Sequence, residues 1–274
     1  MDSTSNSYDF FEGAEKRVVV KSSINLIKMY KVNEWKTFLS NVGCNVLNVI
    51  SNNNIIMFLL SESTFIVTPN YLILKTCGVT TPLNLIAYLN KQGIKIDDIE
   101  YSHPNFIKPD LQNEIYKSFG IEVKYIEEQL EEINFISMKV LHMYYLYSNP
   151  ITNNNEITLW DFQWTNDVII MLHSELQSWK IDDYVFKPHG YSMNAMDDKN
   201  NYITIHVTPN TSCSYLSFET NNSDLLYLAK LIIEKTNPKK IGFFSNNNKF
   251  EIEIPLEFRH KIYNNGNVYI KYYS

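Results

Sequence analysis

The residues 57–69, MFLLSESTFIVTP, set Ser61, Glu62 and Ser63 between two apolar runs of strand-forming types. A polar tripeptide there reads first as a hairpin turn. Such a turn favours Gly, Asn or Asp, and none is present, so the turn reading fits imperfectly and two hydroxyls with a carboxylate remain to be explained. Four other stretches carry reactive types. In FFEGAEK, residues 10–16, Glu12 and Glu15 follow two aromatics. Read as strand, that spacing sends them to opposite faces unless the backbone bulges near Gly13. In LILKTCGVTT, residues 72–81, Cys77 stands where a strand gives way to a loop, the place of a reactive thiol or of a small core hydrophobe. FKPHGYSMNAM, residues 186–196, contains Pro188 and Gly190 and reads as a loop that brings His189, Ser192 and Asn194. In YITIHVTPN, residues 202–210, alternation places Tyr202, Thr204 and His206 on one face. Ser63, Ser192 and His206 are hydrolase types, but no G-x-S-x-G elbow is present, and that reading is set aside.

The elements that must position these residues are mostly strands. β-type runs recur at 17–21, 44–51, 54–60, 64–68, 71–76, 135–147, 202–207, 214–219, 241–244, 250–254 and 268–273. Links such as Pro69-Asn70 are short and turn-like, which favours antiparallel pairing. Helices are expected at 32–40 with Asn33 as cap, at 81–91 with Pro82 in the first turn, at 112–119, and at 223–235 with Ser223 or Asp224 at the cap. Strands interrupted at long intervals by helices suggest sheets covered by helices, an α+β layered domain, and no linker divides the 274 residues.

Composition narrows the function classes. The chain carries 24 Lys+Arg against 30 Asp+Glu, net −6, and its only arginines are Arg17 and Arg259, so an arginine-rich nucleic-acid surface is absent. No apolar run approaches the ~20 residues that cross a bilayer, and the polar start MDSTSNSYDF has no signal-peptide pattern. Cys44, Cys77 and Cys213 make neither a disulfide framework nor a metal-type pair, which fits a reducing, cytoplasmic setting and no metal. The 33 asparagines read as surface and loop filler.

Taken in order, the stretches resemble one family. F-F-E-G-x-E-K at 10–16, L-S-E-S at 60–63, L-K-T-C-G at 74–78, YSHPNFIKP at 101–109, G-Y-S-M-N-x-M at 190–196, I-H-x-T-P at 205–209 and S-Y-x-S-F-E-T at 214–220 are similar to motifs of the eukaryotic-type S-adenosylmethionine decarboxylase proenzymes. The likeness covers roughly residues 9–273. It implies a four-layer α/β/β/α sandwich of two antiparallel sheets flanked by helices, formed as one proenzyme domain that cuts itself into chains 1–62 and 63–274. By the same resemblance, the Ser63 hydroxyl attacks the Glu62 carbonyl, and the resulting ester eliminates to leave a pyruvoyl group at residue 63. That group forms a Schiff base with S-adenosylmethionine, carbon dioxide leaves, and the product is the aminopropyl donor for spermidine and spermine synthesis.

Roles carry over residue by residue. His206 is the processing base and Ser192 the hydrogen-bonding partner of the processing intermediate. Cys77 is the proton donor, and Glu12, Glu15 and Glu62 supply acidic surroundings. Phe11 and Phe186 flank the adenine. Two departures stand out: Asn210 replaces a glutamate that would hold the ribose, and His189 replaces a cysteine. Anchored on Ser174-Glu175-Leu176, the carboxylate and hydroxyl positions that bind the activator putrescine in animal members fall on Asn166, Val168 and Ile170, which implies no putrescine activation. The two fragments are expected to stay together as a heterodimer, and both monomers and dimers of that unit occur in the family. A rival reading is an inactive paralogue that regulates a true decarboxylase. Such paralogues lose the processing serine or its helpers, whereas Glu12, Glu15, Ser63, Cys77, Ser192 and His206 are all present here.

Overall fold

The computed structural model describes residues 11–149, 151, 154–187, 190–210, 214–245, 260–264 and 269–273. The first half contains β1 (Lys16–Lys21), α1 (Leu26–Met29), α2 (Val32–Asn41), β2 (Val46–Ser51), β3 (Ile56–Leu60), β4 (Ser63–Val67), β5 (Tyr71–Thr76), α3 (Asn84–Lys91), β6 (Asp98–Pro104), α4 (Phe119–Gln129), β7 (Ile136–Val140) and β8 (Met143–Tyr147). The second contains β9 (Asn155–Trp160), α5 (Asn166–Glu175), β10 (Lys180–Val185), β11 (Tyr191–Met196), β12 (Tyr202–Thr208), β13 (Tyr215–Thr220), α6 (Leu226–Thr236), β14 (Lys240–Ser245), β15 (His260–Asn264) and β16 (Tyr269–Tyr273).

Two eight-stranded antiparallel sheets result, ordered β2-β3-β4-β5-β1-β6-β8-β7 and β10-β11-β12-β13-β9-β14-β16-β15. Adding eight to each label of the first order yields the second, so the halves repeat one connectivity that the sequence does not reveal. Strand alternation gives each sheet two faces. Val18, Val20, Phe65, Leu72 and Leu74 pack outward with Trp35, Phe38, Leu85 and Ile86 of α2 and α3 and with Ile126 of α4. Ile157, Ile203, Ile205, Leu216 and Phe218 pack outward with Val168 and Leu172 of α5 and Leu228, Ala229 and Ile232 of α6. The other faces meet one another, as β11 against β3 and β4. This is the four-layer α+β sandwich expected.

Several local expectations differ from what forms. The helix expected at 112–119 is a single 3-10 turn over Glu114–Tyr116, and α4 begins only at Phe119, where the apolar spacing sustains a helix. The 223–235 helix starts with a 3-10 turn over Ser223–Leu225, whose cap is Asn222. Helix α2 is capped two residues earlier than Asn33, at Lys31, whose amide donates to the Glu34 carboxylate at 2.7 Å. The run 135–147 is two strands, β7 and β8, because Leu141 turns the chain with φ +55°. β6, β9, β10, β11 and β15 and helices α1 and α5 were not expected. β11 was hidden because Pro188 and Gly190 mark a loop that ends just before Tyr191. The expected strand 250–254, Arg259, His189 and Cys213 lie outside the described residues.

Between the sheets, two apolar patches flank a charged centre. Val19, Met57, Ile66, Ile73, Met196 and Tyr202 form one patch. Tyr145, Tyr147, Trp160, Tyr215, Phe244 and Tyr272 contribute to the other. Arg17 crosses the gap between them. Its Nη2 donates to Glu219 Oε1 at 2.8 Å, its Nε to Glu219 Oε2 at 3.1 Å, and its Nη1 to Glu100 Oε2 at 3.1 Å. Lys75 Nζ lies 2.7 Å from Glu156 Oε1, 3.3 Å from Glu219 Oε2 and 3.6 Å from Glu15 Oε2. Burial resists ionisation of Glu219, but Arg17 and Lys75 outweigh it and hold the carboxyl at about 2. Burial pushes Glu156 up despite Lys75, partly because Glu219 is close.

Glu219→Gln leaves Arg17 under-compensated in a dry layer, so it should lower unfolding free energy at neutral pH by about 3–5 kcal/mol, read by urea denaturation. A carboxyl whose folded pKa is depressed stabilises the fold above its unfolded value and loses that contribution as pH falls. Wild-type stability should therefore fall between pH 4.5 and about 2, and the variant should show a shallower fall in that window.

Candidate active site

Strand β4 opens at Ser63 with φ +148°, a left-handed value that strains any residue with a Cβ. Thr64 and Ile66 face the other sheet while Phe65 and Val67 face the helices, so plain alternation would turn Ser63 toward the helices. The unusual φ breaks that alternation. The Ser63 hydroxyl is buried and reaches no partner at full hydrogen-bond geometry, yet it lies near enough to Glu15, between the sheets, to favour that carboxylate's charge. The preceding carbonyl is held from the opposite side. Glu62 O accepts from the Cys77 amide at 3.0 Å and from the Cys77 thiol at 3.0 Å. A nucleophile without a partner thus adjoins a carbonyl that two donors polarise.

Glu15, His206 and Ser192 complete the cluster. His206 Nδ1 lies 2.8 Å from Ser192 Oγ, its cross-strand neighbour, and Nε2 lies 3.3 Å from Thr208 Oγ1. Burial lowers the His206 pKa and Lys75 adds to this, against the opposing pull of Glu15, so the imidazole is neutral and able to take a proton. Burial opposes the charge of Glu15, but Lys75, His206 and the hydroxyls of Ser217 and Ser63 prevail and lower its pKa. Burial drives the Cys77 pKa well up, with Glu15 and Glu62 adding to it, so this group stays a thiol with a proton to give.

The remaining expected residues are placed around this centre. Residues 11–15 run without regular structure beside the Cys77 loop: Gly78 N donates to Glu12 O at 2.8 Å, and Lys16 Nζ donates to Gly78 O at 2.7 Å. Glu12 and Glu15 reach different partners, although this segment is not strand. Glu12 Oε2 accepts from the amides of Ile107 at 2.8 Å and Lys108 at 3.4 Å, away from Ser63, and burial raises its pKa. Glu12 therefore ties down the 105–108 loop, and the structure does not bring it to Ser63. Phe11 is 45 % exposed, with its ring over Gly78; a Cβ there would come within 3.1 Å of Phe11 Cε2, and φ is +67°. Phe186 stands at the end of β10, edge to face with Tyr184 at 4.8 Å between centroids. Burial raises the Glu62 pKa, and Oε2 accepts from Asn45 N at 3.1 Å. Asn210 follows β12, its amide donating to Thr208 O at 3.0 Å.

The positions expected to mark the missing activator site are elsewhere. Asn166, Val168 and Ile170 lie on helix α5, where Val168 packs into the outer core and Ile170 is 67 % exposed. The carboxylates between the sheets are Glu15, Glu100, Glu156 and Glu219 instead. Sequence reading also missed Lys75, Arg17 and Ser217. Lys75 within LILKT and Arg17 within KRVVV are charges inside apolar strands, a signal of burial against counter-charge. Among the described residues, no cluster of His, Cys, Asp and Glu could hold a metal, and no helix is long and apolar enough to cross a membrane.

The sequence profile of the family described as Adenosylmethionine decarboxylase matches residues 8–168 and 161–253. The S-adenosylmethionine decarboxylase proenzyme of Drosophila melanogaster is 31 % identical, with 87 % of this chain and 82 % of that protein covered. The proenzyme of Dictyostelium discoideum is 28 % identical over 80 % of this chain and 69 % of its own length. Among solved structures, the Trypanosoma brucei AdoMetDC-delta26 monomer shares the fold with a TM-score of 0.53 at 20 % identity, covering 74 % of this chain and 95 % of its own.

Gly13 tests how closely the N-terminal segment must approach β12. A Cβ at this position would stand 2.7 Å from both Cβ and Cγ2 of Thr208, whose hydroxyl contacts His206. Gly13→Ala should destabilise the fold by about 1–3 kcal/mol in urea unfolding, the cost of overpacking a close contact.

Proposed function

The chain belongs to the adenosylmethionine decarboxylase family, whose members are pyruvoyl-dependent enzymes, and we propose that it is a self-processing S-adenosylmethionine decarboxylase acting as one domain over residues 1–274. The observation that carries this reading is the strained Ser63, its buried hydroxyl close to Glu15, beside a Glu62 carbonyl held by two Cys77 donors. These residues fit the origin of a pyruvoyl group, since a buried hydroxyl turned off its strand face adjoins a carbonyl that two donors polarise.

In the proposed cleavage, the Ser63 hydroxyl adds to the Glu62 carbonyl carbon and gives up its proton to a base; His206, kept neutral by burial, fits that role. The developing oxyanion is held by the Cys77 amide and thiol, and collapse breaks the peptide C–N bond as the Ser63 nitrogen takes up the proton that the base removed, leaving an ester and a free amine. Loss of the Ser63 α-proton then expels the Glu62 carboxylate, and water releases ammonia from the remaining residue. Ser192 fixes the His206 ring through its 2.8 Å contact, and Lys75 keeps Glu15 charged beside both.

The pyruvoyl group supplies an electron sink for loss of carbon dioxide from an amino acid. The chain's own residues do the rest. Phe11 and Phe186, two partly exposed rings near the Cys77 loop and the end of β10, suit a flat base and a sulfonium charge. The Cys77 thiol, its proton retained by burial, suits the return of a proton to the product carbon. Asn210 offers the ribose a neutral amide where the family uses a carboxylate.

The intact mass of purified protein tests the reading. Two chains that break between Glu62 and Ser63 are expected, and Ser63→Ala should leave one chain of 32.1 kDa with no decarboxylation of labelled substrate. A wild-type chain that stays whole under folding conditions would instead favour the regulatory paralogue.

Activation by a diamine is not expected, for a reason other than missing carboxylates. The carboxylates between the sheets already face Arg17 and Lys75, so an added dication would meet two fixed cations. Decarboxylation and cleavage rates should be unchanged by millimolar putrescine, and a severalfold increase in either would refute this.

A further inference from the structure

A second polar row crosses the gap between the sheets, apart from the Arg17 cluster. Asn48 Nδ2 of β2 donates to Asp182 Oδ1 of β10 at 2.8 Å. Asp182 pairs in register with Asn194 of β11. Thr64 Oγ1 of β4 then donates to Asn194 Oδ1 at 2.9 Å, with the Phe58 carbonyl a longer acceptor at 3.3 Å. Thr64 and Asn194 are both fully buried. Asp182 and Asn194 are cross-strand neighbours with no side-chain hydrogen bond between them, so two separate bonds join the sheets, and one of them ends on the residue that follows Ser63.

We propose that Thr64 and Asn194 are positioning residues for the self-cleavage: their hydrogen bond anchors β4 to the second sheet immediately after the scissile bond, so that the backbone distortion is confined to Ser63. This rests on the proposed reading of Ser63 as the nucleophile. The reason lies in the two ends of the strained residue. On one side Glu62 O is fixed by Cys77, and on the other Thr64 is fixed by Asn194. With both ends held, Ser63 cannot relax to an ordinary strand φ without breaking one of them. The Asn194 anchor touches no reacting atom, and the covalent step is unchanged: it remains the attack of Ser63 Oγ on the Glu62 carbonyl carbon.

Pulse-labelled chain from cell-free translation, chased and resolved on denaturing gels, gives the cleavage rate. Thr64→Val keeps the shape and removes the hydroxyl, and it should slow cleavage about tenfold, the size one buried hydrogen bond carries when it acts on a barrier. Thr64→Ser should cleave at close to the wild-type rate. Asn194→Ala should be slow as well, and the Thr64→Val/Asn194→Ala chain no slower than the slower single variant, as expected of one shared interaction. Wild-type rates for both single variants, or a Thr64→Ser chain as slow as Thr64→Val, would overturn the proposal. If Thr64→Val does not fold, judged by its urea midpoint, the Asn194→Ala rate decides. A wild-type chain that never cleaves overturns instead the reading of a self-processing enzyme.

Discussion

Charge placed between two packed sheets must find counter-charge there, because water cannot reach it. That requirement governs the centre of this molecule. Arg17 on the first sheet is bidentate to Glu219 on the second, and Lys75 joins Glu219, Glu156 and Glu15. Each cation is satisfied only when the sheets meet in one register, so the cluster specifies how the two halves dock as well as that they dock. Apolar patches on either side supply most of the burial, but such surfaces tolerate sliding in a way that a bidentate pair does not.

The site inherits its electrostatics from this cluster. Lys75 is the hinge: the ammonium that faces Glu156 and Glu219 also keeps Glu15 ionised and helps hold His206 neutral. His206 stays neutral mainly through burial, while Glu15 keeps its charge against burial, chiefly through that lysine. Cys77 is set apart from them, since its thiol and amide both serve the Glu62 carbonyl. The N-terminal segment closes the arrangement by strapping Gly78 through Glu12 and Lys16.

Much of this was legible beforehand, and the failures have physical causes. Ser63, Cys77, Glu15, Ser192 and His206 were marked by type and motif, and alternation correctly placed His206 with Thr204 and Tyr202 on one face. Glu12 was grouped with Glu15 by motif, although the same alternation argument already sent them apart. β11 was read as loop because glycine and proline punctuation is felt over several residues, whereas a strand can begin one residue later. The positions carried over for the activator fall on helix α5, outside the layer between the sheets, where a three-residue anchor gave no view of which residues face that layer.

The sequence by itself determined a layered α+β class and apolar strand and helix faces, because these depend on residue type and on periods of two and 3.6 that the chain carries locally, while the two-sheet sandwich and the roles of the reactive side chains came from the resemblance of ordered motifs to one family. Only the tertiary structure decided that Ser63 is turned off its strand face, that Glu62 is gripped by Cys77, and that Arg17 answers Glu219. Those pairings join residues 15 and 202 positions apart, and no local preference can encode a contact whose partner arrives only when the sheets pack.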